Sequence, residues 1–160
     1  TESDFTISGC DDIEFLISTN PGENLKPLSK IASGGEMSRI MLAIKSILSK
    51  GDIVDTLIFD EIDTGVSGRA AQKISEKISR TKQVLCITHL AQIASMGDFH
   101  YLIHKDSDET KTRTFVNLLS TEERKDELSR IIGGVSVTDT TLKAAEEMLQ
   151  QAENLKDSFI

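Results

Sequence analysis

The period of the apolar positions changes along the chain, and each change predicts an element. Phe5 and Ile7 alternate with polar residues, and so do Ile13, Phe15 and Ile17 beyond the turn-like stretch Ser8 to Asp12. That period of two predicts a hairpin of half-buried strands, closed off by Asn20-Pro21-Gly22. A loop through Pro27 to Ser33 follows. From Met37 the spacing becomes helical, with Ile40, Met41, Ile44, Ile47 and Leu48 recurring and Gly51 as the stop.

Residues 53–59 predict a strand, and residues 68–80 a helix with Ala70, Ala71, Ile74 and Ile78 on its apolar side. Residues 83–88 predict another strand, and residues 90–96 a short helix. Strand, helix, strand with nearly continuous apolar strands predicts parallel β/α packing, and so short a connection makes the two strands neighbours. Residues 99–104 and 112–118 predict an antiparallel pair joined by a charged tip. Ser120 and Glu123 have capping-box spacing, with Gly133-Gly134 ending that helix. A last helix, residues 138–155, carries Leu142, Ala145, Leu149, Ala152 and Leu155 on one stripe. The expected fold class is α/β, a parallel β/α core with antiparallel strands and C-terminal helices. No internal repeat or heptad array is visible.

Composition narrows the picture. At 160 residues the chain is one domain or a piece of a larger one. The longest apolar run, residues 40–44, is far short of the ~20 residues that span a membrane, so a soluble chain with no membrane partner is expected. A net charge of −8 argues against nucleic acid lying along this segment as its main surface. Cys10 and Cys86 form no CxxC and predict no disulfide framework, which fits a reducing cytoplasm. Cys86, inside Val84-Leu85-Cys86-Ile87, reads as a small buried hydrophobe. The chain starts with Thr1 rather than Met, which processing, a missing start or a fragment would each explain.

Three places could carry chemistry. The strand Leu57-Ile58-Phe59 runs straight into Asp60-Glu61, at the edge where parallel α/β sheets bind ligands. Alternation along the strand should send the two carboxylates apart, one toward a metal ion and one toward a water; the plainer alternative is a solvated pair opening a loop. Ser33-Gly34-Gly35-Glu36 opens the amphipathic helix. Ser33 and Glu36 would cap it, while the two glycines, each costing up to ~1 kcal/mol against Ala in a helix, suggest close approach of a partner such as phosphate. Thr88-His89 ends the neighbouring strand and should emerge beside Asp60-Glu61. His100 and His104 lie ~13 Å apart on a strand, too far to share a metal ion, and read as structural.

Taken in order, these segments resemble the second half of an ABC-type ATPase head. Ala32-Ser33-Gly34-Gly35-Glu36 resembles the signature motif, Leu57-Ile58-Phe59-Asp60-Glu61 the Walker B strand, residues 62–68 the D-loop, and His89 the switch histidine. The wording Ser-Gly-Gly-Glu-Met-Ser-Arg-Ile-Met-Leu-Ala (33–43), Asp-Glu-Ile-Asp-Thr-Gly-Val-Ser-Gly (60–68) and Cys-Ile-Thr-His-Leu (86–90) is similar to the RecN family of bacterial SMC-like DNA double-strand-break repair proteins. The similarity covers about residues 27–104 strongly.

The resemblance implies the C-terminal lobe of an ABC/SMC-type P-loop ATPase head, using ATP and Mg²⁺. Glu61 would polarise the attacking water and His89 would contact the γ-phosphate; Asp60 would help hold Mg²⁺. Ser33, Gly34, Gly35 and Glu36 would meet the nucleotide of a second copy of the head, with Ser67 in the D-loop. Ser67 stands where most ABC D-loops carry Asp, and Ala91 where many relatives carry Pro. The implied partners are the protein's own N-terminal Walker A half, the second head, and DNA through other parts of the protein. The implied location is the bacterial cytoplasm, with nucleoid association during repair.

A Walker A loop needs Gly-x-x-x-x-Gly-Lys-Ser/Thr, and no Gly-Lys pair occurs in the chain. Residues 1–160 therefore read as a single C-terminal half-domain without the Walker A half and coiled coil, inactive alone. An exposed apolar patch or a non-native dimer is expected of such a half-head. Two other readings are a non-catalytic interaction module of ABC-like shape and the head of another SMC or Rad50-like protein.

Overall fold

A computed structural model of the chain describes residues 2–7, 9–11, 13–18, 21–30, 33–48, 53–80, 83–107, 111–134 and 136–159, of which residues 2–6 are described by backbone alone. The chain order is β1 (Glu2–Thr6), β2 (Gly9–Asp11), β3 (Leu16–Ile17), β4 (Lys26–Pro27), a 3₁₀ turn (Leu28–Lys30) and α1 (Gly34–Leu48). It continues with β5 (Thr56–Phe59), α2 (Gly68–Ser79), β6 (Gln83–Cys86), α3 (Ala91–Ala94), β7 (Tyr101–Ser107), β8 (Thr112–Leu118), α4 (Thr121–Gly133) and α5 (Asp139–Asp157).

The central unit is the expected β/α pair. β5 and β6 run parallel with Phe59 opposite Cys86, and the Ile87 N–H donates to Phe59 O at 2.9 Å, one step past the ladder. α2 makes the crossover between them. One face of the pair points into a cluster built on Leu42 of α1, Phe59, Ile62 and Ile93, against which Leu57, Ile74, Ile78, Val84 and Cys86 pack. Burial pushes the Cys86 thiol up to about 11, with the charges of Asp63 and Asp60 adding to it, so this sulfur stays protonated and acts as a hydrophobe.

A second cluster, Ala91, Ala94, Leu128 and Ala145 with Ile131, Met148 and Leu149, joins α3 to the α4–α5 pair. The four-residue α3 thus bridges both cores, giving Ile93 to one and Ala91 and Ala94 to the other. α4 begins with the predicted capping box. Ser120 Oγ accepts from the Glu123 N–H, and the Ser120 N–H donates to Glu123 Oε2 at 2.8 Å. Gly134, at φ +65, ends it. The stripe of α5 packs on α4, with Ala145 and Ala152 buried. β7 and β8 form the expected antiparallel hairpin.

The N-terminal prediction needs correcting. β1 pairs with β2, the stretch read as a turn, and β3 pairs with β4 at Pro27, read as loop. The reversal falls between Thr6 and Gly9, whose φ of +119 lets a strand begin where a longer loop was expected. Ile7, Ile13 and Phe15 are exposed rather than half-buried. Ser8, Asp12, Asn20, Ala32 and Gly51, which entered the predictions above, lie outside the described residues.

The strand pair also departs from a fully covered parallel sheet. Ile58 is 70 % exposed, Leu85 52 % and Ile87 53 %, all on the face away from the helices. Fully covering each of these side chains would contribute roughly 1.5–3 kcal/mol. The expected apolar patch is therefore present. The chain in solution should self-associate through this face, and Ile58→Ser with Leu85→Ser should shift it toward monomer; equal light-scattering masses for both proteins would contradict this.

Candidate functional site

The site is built where β5 ends. Beyond Phe59 the chain leaves extended geometry, and Glu61 takes φ +57, rare for a residue with a side chain. Asp60 and Glu61 are both exposed on a turn closed by the Thr64 N–H on Glu61 O at 3.0 Å. The left-handed conformation costs on the order of 1 kcal/mol, which contacts to the turn must offset.

Those contacts come from the first turns of α1. Ser38 Oγ donates to Asp60 O at 3.0 Å, and Arg39 Nη1 donates to both Ile62 O at 3.1 Å and Thr64 O at 2.8 Å. Gly35, buried, presses against the same turn. A Cβ at Gly35 would lie 2.7 Å from Glu61 O and 3.0 Å from Thr64 Cβ. At Gly34, which is exposed, a Cβ would meet only Glu61 Oε2, at 3.0 Å. Gly35 thus has a packing reason inside its own chain, while Gly34 keeps an open N-terminal position beside the Glu61 carboxylate. Ser33 Oγ accepts from the Glu36 N–H at 3.3 Å, the predicted cap. Ser67 precedes α2 as its N-cap in extended geometry, with no hydrogen bond from its side chain to the helix.

From the neighbouring strand come Thr88 and His89. They reach Asp63, which sequence reasoning passed over as one position of a loop. Asp63 is 2 % exposed. Its Oδ2 accepts from Thr88 Oγ1 at 2.6 Å and from the His89 N–H at 2.8 Å, and His89 Nδ1 lies 3.0 Å away. Thr88 Oγ1 in turn accepts from the Leu90 N–H at 3.0 Å. Burial by itself would raise the Asp63 carboxyl. The Thr88 hydroxyl, the His89 amide and the nearby His89 charge together outweigh it and hold the group below the ordinary carboxylate value.

His89 therefore does emerge beside the turn, but its fixed partner is Asp63 rather than Asp60 or Glu61. Signals for the missed residues existed: Asp63 is the third carboxylate in Asp60-Glu61-Ile62-Asp63, and Arg39 follows Gly35 by one helical turn. His100 and His104 stay apart from this site. His104 stacks on Phe115, with ring centroids 5.3 Å apart. Burial lowers the basicity of His100, and the neighbouring Arg124 adds to this. Among the described residues no three His, Cys, Asp or Glu side chains converge as a metal cage, and no helix is long and apolar enough to cross a membrane.

Comparison with known proteins adds relatives to this geometry. The chain is 55 % identical over 154 residues to the DNA repair protein RecN of Bacillus subtilis, covering 94 % of this chain and 27 % of that protein. It is 48 % identical over 145 residues to RecN of Treponema pallidum, covering 89 % and 25 %, and 47 % identical over 152 residues to RecN of Rickettsia typhi, covering 93 % and 27 %. The chain thus spans about a quarter of the length of these relatives. No family model matches it. A solved structure described under "Structural biochemistry of ATP-driven dimerization and DNA stimulated activation of SMC ATPases" aligns at 22 % identity with a TM-score of 0.44, over 73 % of this chain and 79 % of that one.

Two outcomes are expected of this geometry. Gly35→Ala should destabilise the chain by ~1–3 kcal/mol through overpacking on the Glu61 carbonyl, whereas Gly34→Ala should stay near neutral; urea unfolding of the two variants measures the difference. Because the folded-state value of Asp63 is depressed, its stabilisation is fully present above the ordinary value of 3.8 and lost as pH falls through the lower folded value. Denaturant midpoints across an acid series should therefore fall less steeply for Asp63→Asn than for the parent.

Proposed function

The chain belongs to the RecN family over the quarter of those proteins' length that it spans, and from that premise we propose that it is the C-terminal lobe of an SMC-like ATPase head acting in DNA repair. The observation that carries the reading is the convergence of three motifs at one end of the β5–β6 pair. The start of α1 touches the turn of Asp60 to Thr64 through Gly34, Gly35, Ser38 and Arg39, and the same turn holds His89 through Asp63.

The donor chemistry suits ATP with Mg²⁺. Mg²⁺ usually takes one or two carboxylates and leaves its other positions to waters and phosphate oxygens, so an exposed Asp60 outside any cage is an adequate protein ligand. Bound there, the metal would neutralise charge developing on the phosphates. Glu61, exposed on its left-handed turn, would orient and polarise water. His89, 73 % exposed at its side chain, would contact the γ-phosphate. Ser33, Gly34 and Glu36 open α1, and with Gly35 and Ser67 they would face the nucleotide of a second head; the amide-rich start of a 15-residue helix suits an anion.

The uncovered face of Ile58, Leu85 and Ile87 supports a missing layer, supplied in this reading by the Walker A half of the same protein. Nucleotide would be held between two heads, DNA would bind elsewhere, and the protein would work in the cytoplasm.

Two measurements test the proposal. Calorimetry should detect no ATP binding by the 160-residue chain alone, because the phosphate cradle is not in its sequence; micromolar affinity would contradict this. In a full-length RecN protein carrying this segment, Glu61→Gln should abolish turnover and retain ATP-dependent dimerisation. Unchanged turnover would favour a non-catalytic interaction module instead.

A further inference from the structure

We propose that Asp63 is a positioning residue for His89, its buried carboxylate holding an exposed imidazole in one orientation with the proton on Nδ1, so that Nε2 is the ring nitrogen offered to a ligand. The bond made by one imidazole nitrogen decides the state of the other. Here Nδ1 lies 3.0 Å from a carboxylate oxygen, a group that only accepts, so the contact is favourable only with hydrogen on Nδ1. The ring itself is 73 % exposed, and packing alone would not restrain it. The carboxylate is in turn fixed. It is 2 % exposed, follows the buried Ile62, and takes the Thr88 hydroxyl and the His89 amide on the same oxygen.

A purely structural role accounts for less. The Thr88 hydroxyl and the His89 amide are neutral donors that an Asn carbonyl would satisfy without the cost of burying a charge. The contact that gains most from a full negative charge is the one to the ring. Its use in catalysis rests on the proposed role of His89. A phosphate oxygen accepts hydrogen bonds, so Nε2 meets it as a donor only when the ring carries a second proton; Asp63 then lies where it balances the resulting cation. Arg39 holds the neighbouring carbonyls of Ile62 and Thr64, and Gly35 packs closely on that of Glu61, which keeps the Asp63 backbone from following the ring.

The test is the tautomer of His89, read by long-range ¹H–¹⁵N correlation in the 160-residue chain at about pH 8.5, where an ordinary imidazole is neutral. Loss of the signal in His89→Gln separates it from His100 and His104. The parent chain should show His89 as the Nδ1–H tautomer, and Asp63→Ala should lose that preference and give averaged signals. An Nε2–H or averaged His89 in the parent overturns the proposal, as does a preference unchanged in Asp63→Ala. The parent spectrum alone decides the first point even where the variant fails to fold. Turnover of His89→Ala in the full-length protein separately tests the phosphate contact: unchanged turnover would sink that role and leave the tautomer result standing.

Discussion

One buried carboxylate ties the two strand ends of this molecule together. Asp63, in the turn after β5, accepts hydrogen bonds from Thr88 and His89, which follow β6. A charge this deep is tolerated because the Thr88 hydroxyl and the His89 amide that face it are held in place by the parallel ladder and by the Ile87–Phe59 bond one step past it. The parallel pairing brings Thr88 and His89 to Asp63, and Asp63 in turn fixes where the chain goes after the sheet.

The turn between Phe59 and Asp63 is held from the other side by α1. Gly35, Arg39 and Leu42 share one face of that helix: Gly35 meets the Glu61 carbonyl, Arg39 donates to two further carbonyls, and Leu42 enters the core beside Phe59 and Ile62. The strained backbone of Glu61 is thereby over-determined, and its carboxylate stays exposed beside Gly34. Stability and proposed chemistry use the same contacts, so the helix start and the turn after β5 behave as one unit. The α4–α5 pair stands outside that unit and is joined to it through α3, with Arg124 reaching Gly97 O at 2.7 Å and Lys156 pairing with Asp98 at 2.6 Å.

The uncovered face of β5 and β6 is the other consequence of the architecture. Strands with apolar residues on both sides belong in a sheet covered twice, yet only Leu57, Phe59, Val84 and Cys86 find a helical layer. Ile58, Leu85 and Ile87 on the opposite side stay exposed.

Elements whose cause is local were legible in the sequence. The period of α1, α2 and α5, the Ser120–Glu123 capping box and the Gly134 stop each depend on residues within one or two turns of one another. The order of the motifs was legible too, since it is a property of the chain. The N-terminal pairing was misread because alternation marks strands without choosing partners. Only the folded chain brought Asp63 to His89, Arg39 to the carbonyls of Ile62 and Thr64, and Gly35 to that of Glu61, across separations of 23 to 26 residues. Contacts of that range leave no periodic trace along a sequence, because the geometry that selects them comes from the register of β5 on β6 and the packing of α1 on the turn.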